Sequence, residues 1–199
     1  MRFPFKVPLF LSKPLNIDRE GIPNWFFYVQ PNFEAQLPSI RFRVLQIGAY
    51  AGDFSRWLLE NKVVEYLDDV DTWQGSEDEG DSVKNWNHVL RYYQSNIKSH
   101  KQVKSHKMTS DAFFRSKKSR TYNLIYIDGS HSAKQVLIDG INAFEHLELD
   151  GLMVFDDYLW ENNKVRLENP GPGIDCFLQL YVGQYNVVFR GYQIWIKKI

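Results

Sequence analysis

The stretch VLQIGAYAGDFSRWLLE, Val44 to Glu60, constrains the fold more than any other part of the chain. Val44, Leu45 and Ile47 form a short apolar run, Gly48 and Gly52 punctuate a turn, and Phe54, Trp57 and Leu58 recur at helical spacing. The order is therefore strand, glycine turn, helix. Such a junction lets a ligand approach bare backbone, and the free N–H groups at the helix start favour anionic or polar ligand groups. The glycines read G-x-x-x-G, whereas the dinucleotide fingerprint requires G-x-G-x-x-G. The residues alone leave open whether the turn binds a ligand or only joins a strand to a helix.

The same alternation continues down the chain. VVEYLDDVD gives a second strand ending near Asp71, and Asp71 lies 23 residues beyond Gly48. That is close to the interval at which an acidic residue meets ribose hydroxyls in a βαβ nucleotide unit. The alternative is that Asp68, Asp69 and Asp71 form a solvated turn. Asp78, Glu79 and Asp81 suit the start of a helix that runs through SVKNWNHVLRYYQSN, with Val83, Trp86, Val89, Leu90 and Tyr93 inward. A lysine-rich stretch with His100 and His106 reads as a solvated loop with room for a short strand over 103–108. Ser110 or Asp111 caps a short helix.

Thr121 to Ile127 reads as a central parallel strand closed by Asp128. A helix from Ala133 to Leu147 and a strand over 149–155 follow, the strand ending in Asp156-Asp157. The tail predicts a Pro/Gly loop, a helix from about Ile174 to Val182, and a terminal antiparallel hairpin from the runs 185–190 and 192–197 about Gly191. The order arm, then alternating β and α, then two strands implies a doubly wound, mostly parallel α/β sheet with a C-terminal antiparallel hairpin.

In an open parallel sheet the ligand crevice lies beyond the carboxyl ends of the strands. Strands ending in IDGSH and FDDY place Asp128, Asp156, Asp157 and His131 there. Carboxylates this close raise one another's pKa unless a hard cation, a cationic substrate or hydrogen-bond donors answer them. Oxygen ligands suit Mg²⁺. The competing reading has these acids capping loops through backbone N–H groups.

Composition narrows the partners. Twenty-four basic and twenty-four acidic residues cancel, so no global field favours nucleic acid or an anionic membrane. The single cysteine, Cys176, excludes an internal disulfide and fits a cytoplasmic protein. The apolar runs are too short to cross a bilayer. Residues 1–40 hold six of the eight prolines and show no sustained period. They read as an N-terminal arm or lid over the sheet or over a second copy in a homo-oligomer, with the main domain at 41–199.

Taken together, QIGAYAGDFS, VDTWQGS, YIDGSH and FDDY, followed by the YQIWI ending, resemble the class I S-adenosylmethionine-dependent methyltransferases, in particular their small-molecule group. The resemblance spans Val44 to the end of the chain. It implies that Gly48, Ala49, Tyr50 and Gly52 surround the methionine part of S-adenosylmethionine, that Asp71 holds the ribose, that Asp111 lies by the adenine and that Asp128 borders the methyl-transfer crevice. In metal-dependent relatives, positions matching Asp128, Asp156 and Asp157 look like the metal ligands, and that matching His131 like the general base. The acceptor so implied is a hydroxyl of a small molecule, with no nucleic-acid or membrane partner. A non-catalytic nucleotide-binding scaffold and a metal-independent N-methyltransferase are the alternatives. Three departures stand out: Gln46 replaces a common glutamate, Tyr50 occupies a position often held by a small residue, and Asp68 and Asp69 put two acids inside a strand that should be buried.

Overall fold

The computed structural model describes residues 19, 21–75, 85–116, 120–161, 165, 167 and 169–199. A 3-10 turn, Phe26–Tyr28, and helix α1, Gln30–Gln36, precede the sheet. Then come β1 (Arg41–Ile47), α2 (Asp53–Asn61), β2 (Val63–Asp71), α3 (Trp86–Ile97), β3 (Val103–Lys107), α4 (Ser110–Ser116), β4 (Tyr122–Ile127), α5 (Ala133–His146), β5 (Leu147–Phe155), α6 (Pro170–Leu180), β6 (Tyr185–Arg190) and β7 (Ile194–Lys198). The seven strands order as β3-β2-β1-β4-β5-β7-β6. All pair in parallel except β7, which runs antiparallel to both β5 and β6. The expected doubly wound sheet with a C-terminal hairpin is the fold.

Alternation along β1 sends its side chains to two cores. Leu45 and Ile47 join Ile125, Ile127, Met153 and Phe155 under α4, α5 and α6. Phe42 and Val44 join Leu124, Tyr126, Val154 and Trp195 under α1 and α2. Phe33 of α1 is fully buried and touches Phe54, Tyr126 and Trp195, so this part of the expected arm packs into the second core. The acids proposed to open the third helix, Asp78, Glu79 and Asp81, and its Val83, lie outside the described residues.

Several local expectations shift. The lysine-rich stretch does form a strand, β3, along the sheet edge. The hydroxyl of Thr109, not Ser110 or Asp111, accepts from the Ala112 N–H at 3.2 Å at the start of α4. The Pro/Gly segment is the first turn of α6 because Pro170, with no N–H to lose, suits a first helical position.

Asp68 and Asp69, adjacent on β2, point to opposite faces and are both fully buried. Asp68 bonds His106 at 2.6 Å and also accepts from Arg120 and Tyr122. Burial alone would raise its pKa, but these hydrogen bonds hold it below the usual value. Asp69 accepts from Tyr93 and lies 2.8 Å from the Ser55 hydroxyl, which also lies 2.9 Å from Gln46 Oε1. Gln46 Nε2 donates to the Gly48 carbonyl. Ser55 has one proton for two acceptors, so a carboxylic acid at Asp69 completes the set by donating to Ser55. Burial raises the Asp69 pKa to about 7, in agreement.

Candidate active site

Register gathers the site. Ile47 pairs with Val70 on one side and Ile127 on the other, and Ile127 pairs with Phe155. The next residues, Gly48, Asp71, Asp128 and Asp156, therefore share one sheet edge. Strand order reverses between β1 and β4, with β2 and β3 laid down on one side and β4 and β5 on the other, which makes this edge the topological switch point where open α/β sheets bind ligands.

The glycine loop is built from left-handed residues. Gly48 has φ +87°, Gly52 φ +78° and Tyr50 φ +45°. A tyrosine there is strained, and neighbours hold it. Its N–H donates to Asp71 Oδ2 at 2.8 Å, and its carbonyl accepts from the Trp73 indole at 2.8 Å. The Trp73 N–H donates to Asp71 Oδ1 at 2.6 Å. Burial raises the pKa of Asp71, and the N–H groups of Trp73, Tyr50, Ala49 and Thr72 pull it back. Asp71 thus ties the loop to the end of β2, and Ala49 and Ala51 pack against Trp73 and Tyr93 beneath.

Asp111 sits in the first turn of α4, 3.4 Å from Gln135 Nε2. The same amide donates to Asp139 Oδ1 at 3.0 Å. Asp139, almost wholly buried, was not legible as a site residue, since it falls on the inner face of a helix. Burial pushes its carboxyl up to about 6.

At the β4 and β5 ends, one ligand atom each from Asp128, His131 and Asp157 lie within 4.8 Å of one another. His131 Nε2 is 3.0 Å from Asp157 Oδ2, and the ring packs against Trp160 at 4.7 Å. Asp157 is itself left-handed, φ +56°, and its Oδ1 accepts from Tyr192 at 2.7 Å. Asp156 lies outside this group. It is buried, and its carboxylate accepts from Tyr126, from Gln193 at 3.0 Å and from the Asp157 N–H at 2.8 Å.

The Tyr126 hydroxyl also meets Asp128 Oδ2 at 2.9 Å. One phenolic proton cannot satisfy two carboxylates, so a further proton or a cation is required between them. Burial, then Asp156 and Asp157, raise the Asp128 pKa well above its usual value, and His131 opposes them. Burial and Asp157 push Asp156 up to about 7. Tyr126, Tyr192 and Gln193 were missed by sequence reasoning, because the antiparallel entry of β7 brings the last two alongside β5.

The fold is that of the Rossmann-like methyltransferases. An O-methyltransferase from Bacillus cereus in complex with SAH superposes with a TM-score of 0.59 at 12% identity, covering 96% of each chain. A putative O-methyltransferase from Klebsiella pneumoniae gives 0.60 at 12% identity over 92% of this chain and 80% of that one. The N-methyltransferase NodS from Bradyrhizobium japonicum gives 0.53 at 12% identity over 87% and 93%. Curated protein sequences give no match. Residues 45–158 match the family model described as a methyltransferase domain, and the chain belongs to that family. Among the described residues, no helix is long and apolar enough to cross a membrane.

Proposed function

We propose that this chain is an S-adenosylmethionine-dependent methyltransferase that methylates a hydroxyl of a small molecule with the help of a divalent cation such as Mg²⁺. The carrying observation is the convergence of Asp128, His131 and Asp157 within 4.8 Å at the switch point beside the glycine loop. The solved B. cereus relative holding the product form of this cofactor supports the cofactor assignment.

In this reading Gly48, Ala49, Tyr50 and Gly52 border the methionine part, Asp71 holds the ribose hydroxyls and Asp111 lies on the adenine side. S-Adenosylmethionine supplies a methyl group on a positively charged sulfur. The acid cluster fits a cation, since its proton shortage is a deficit of positive charge; Asp128 and Asp157 would hold the ion, which would lower the pKa of an acceptor hydroxyl. Asp156, engaged by Tyr126 and Gln193, supports the cluster from below. With Nε2–H given to Asp157, the basic lone pair of His131 lies on Nδ1, where it takes the hydroxyl proton. The acceptor oxygen then forms a bond to the methyl carbon as the carbon–sulfur bond breaks in line.

The test is calorimetric titration of the protein with S-adenosylmethionine and S-adenosylhomocysteine, with and without Mg²⁺, followed by methyl transfer to a panel of hydroxylated small molecules. Binding of both nucleosides, with transfer strengthened by Mg²⁺, is expected. A folded protein that binds neither compound overturns the reading.

A further inference from the structure

Arg19 is a buried cation with unused donors beside the glycine loop. Its side chain is 5% exposed. Nη2 donates to Asp53 Oδ2 at 2.9 Å, while Nε and Nη1 are buried with no hydrogen-bond partner among the described residues. The guanidinium lies over the Tyr92 ring at 4.7 Å, which fixes its plane without using its N–H groups. Buried donors to a charged group are costly to leave unmatched, so the arrangement calls for an anion.

The place is equally specific. Asp53 is the first residue of α2, a nine-residue helix whose N-cap is Gly52, with no side chain to cap it. The Ile22 N–H bonds to the Arg19 carbonyl at 3.0 Å, and Ile22 packs with Ala49 and Ala51 of the loop. Arm, loop and helix start therefore meet at Arg19. The pair it forms with Asp53 presents one positive and one negative group side by side. An α-amino acid end, with its carboxylate and ammonium on one carbon, is the ligand group of matching polarity.

We infer that Arg19 binds the carboxylate of the methionine part of the cofactor and that Asp53 takes the neighbouring ammonium; this rests on the cofactor reading above. Arg19 is then a binding residue supplied by the segment before the sheet, and that segment contributes directly to the cofactor site.

The test compares two ligands that differ only in the carboxylate: S-adenosylhomocysteine and its decarboxylated form, each titrated calorimetrically against wild type, Arg19→Met and Arg19→Lys. Wild type should prefer S-adenosylhomocysteine by about 10- to 100-fold, as a charge-assisted hydrogen-bonded pair warrants. Arg19→Met should abolish that preference and leave the decarboxylated ligand's affinity unchanged, and Arg19→Lys should restore part of it. A wild-type protein that binds both ligands equally overturns the inference without need of a variant. Equal weakening of both ligands by Arg19→Met shows Arg19 only holding the arm, and no change shows the carboxylate bound elsewhere; either result overturns it while leaving the methyltransferase reading intact. Binding of neither ligand by wild type removes both readings together.

Discussion

Gly48 lies against the backbone of Asp128 so closely that a Cβ on it would stand 1.8 Å from the Asp128 carbonyl oxygen. The first glycine of the loop is thus required by the β1–β4 junction itself, apart from any ligand. Gly48→Ala should cost about 3 kcal/mol or more, combining a backbone clash with a left-handed φ. Gly183 has a similar φ, +84°, and nothing within 4 Å. Gly183→Ala should cost only about 1–2 kcal/mol, a melting shift of a few degrees for a chain of this size. Equal melting temperatures for the two variants would show that the junction relaxes around the methyl group.

Asp69 gives a pH prediction. Burial holds its carboxyl up at about 7 in the folded state, above the usual 3.8 of an exposed aspartate. The folded state therefore holds the proton more tightly, so this group's stabilisation is full below about pH 4 and is lost as pH rises through about 7. Asp69→Asn does not titrate, but Ser55 and Tyr93 meet the same Asp69 oxygen, Oδ2, so the amide keeps one of these bonds and loses the other. The variant should be weaker than wild type near pH 5, and its stability relative to wild type should rise between pH 5 and pH 8 by on the order of 2–4 kcal/mol. Denaturant melts at the two pH values measure this, and a difference that is the same at both pH values refutes the protonated acid.

Asp71 accepts from the Tyr50 and Trp73 N–H groups. Asp71→Ala frees the loop as well as removing the proposed ribose acceptors, so S-adenosylhomocysteine should bind about 10- to 100-fold more weakly. Retention of wild-type affinity in calorimetry would place the ribose elsewhere.

His131→Ala should lower turnover by about 10²- to 10⁴-fold while leaving S-adenosylhomocysteine affinity nearly unchanged. Single-turnover methyl transfer with saturating cofactor separates the two quantities. Unchanged transfer rules out His131 as the base.

Tyr126 serves Asp128 and Asp156 with one hydroxyl. Tyr126→Phe removes the only proton they share among the described contacts and should destabilise the protein by about 1–3 kcal/mol. Mg²⁺, if it occupies the cluster, should recover part of that loss in a thermal melt. A variant as stable as wild type, with or without the ion, would show the hydroxyl to be dispensable.

Much of this was readable from the chain because burial on both faces writes parallel strands as apolar runs, and strand ends in such sheets are where chemistry collects. The placement of Asp71, Asp128 and His131 beyond the carboxyl ends of the strands was legible that way. Other features depend on geometry that spacing does not encode. Period-two alternation says that Asp156 and Asp157 point apart, but not which of them turns inward to Tyr126 and Gln193. Ser110 and Asp111 are the better caps on paper, yet the turn seats Thr109 at the helix start. Asp68 and Asp69 looked like a liability in a buried strand until His106, Arg120, Tyr93 and Ser55 arrived from distant segments to meet them. Arg19 sits in a stretch with no periodicity, so its burial against Asp53 and Tyr92 left no trace in the pattern.

The antiparallel placement of β7 has a temporal meaning. The strands β1 to β4 can pair with one another as they leave the ribosome, yet one edge of β5 stays bare until residues 194–198 are made and dock between β5 and β6. Tyr192 and Gln193, which hold Asp157 and Asp156, come with them. During synthesis the glycine-loop half of the crevice can thus take shape well before the acid cluster, and a nascent chain stalled before β7 would carry the proposed cofactor cradle beside an unfinished acid cluster.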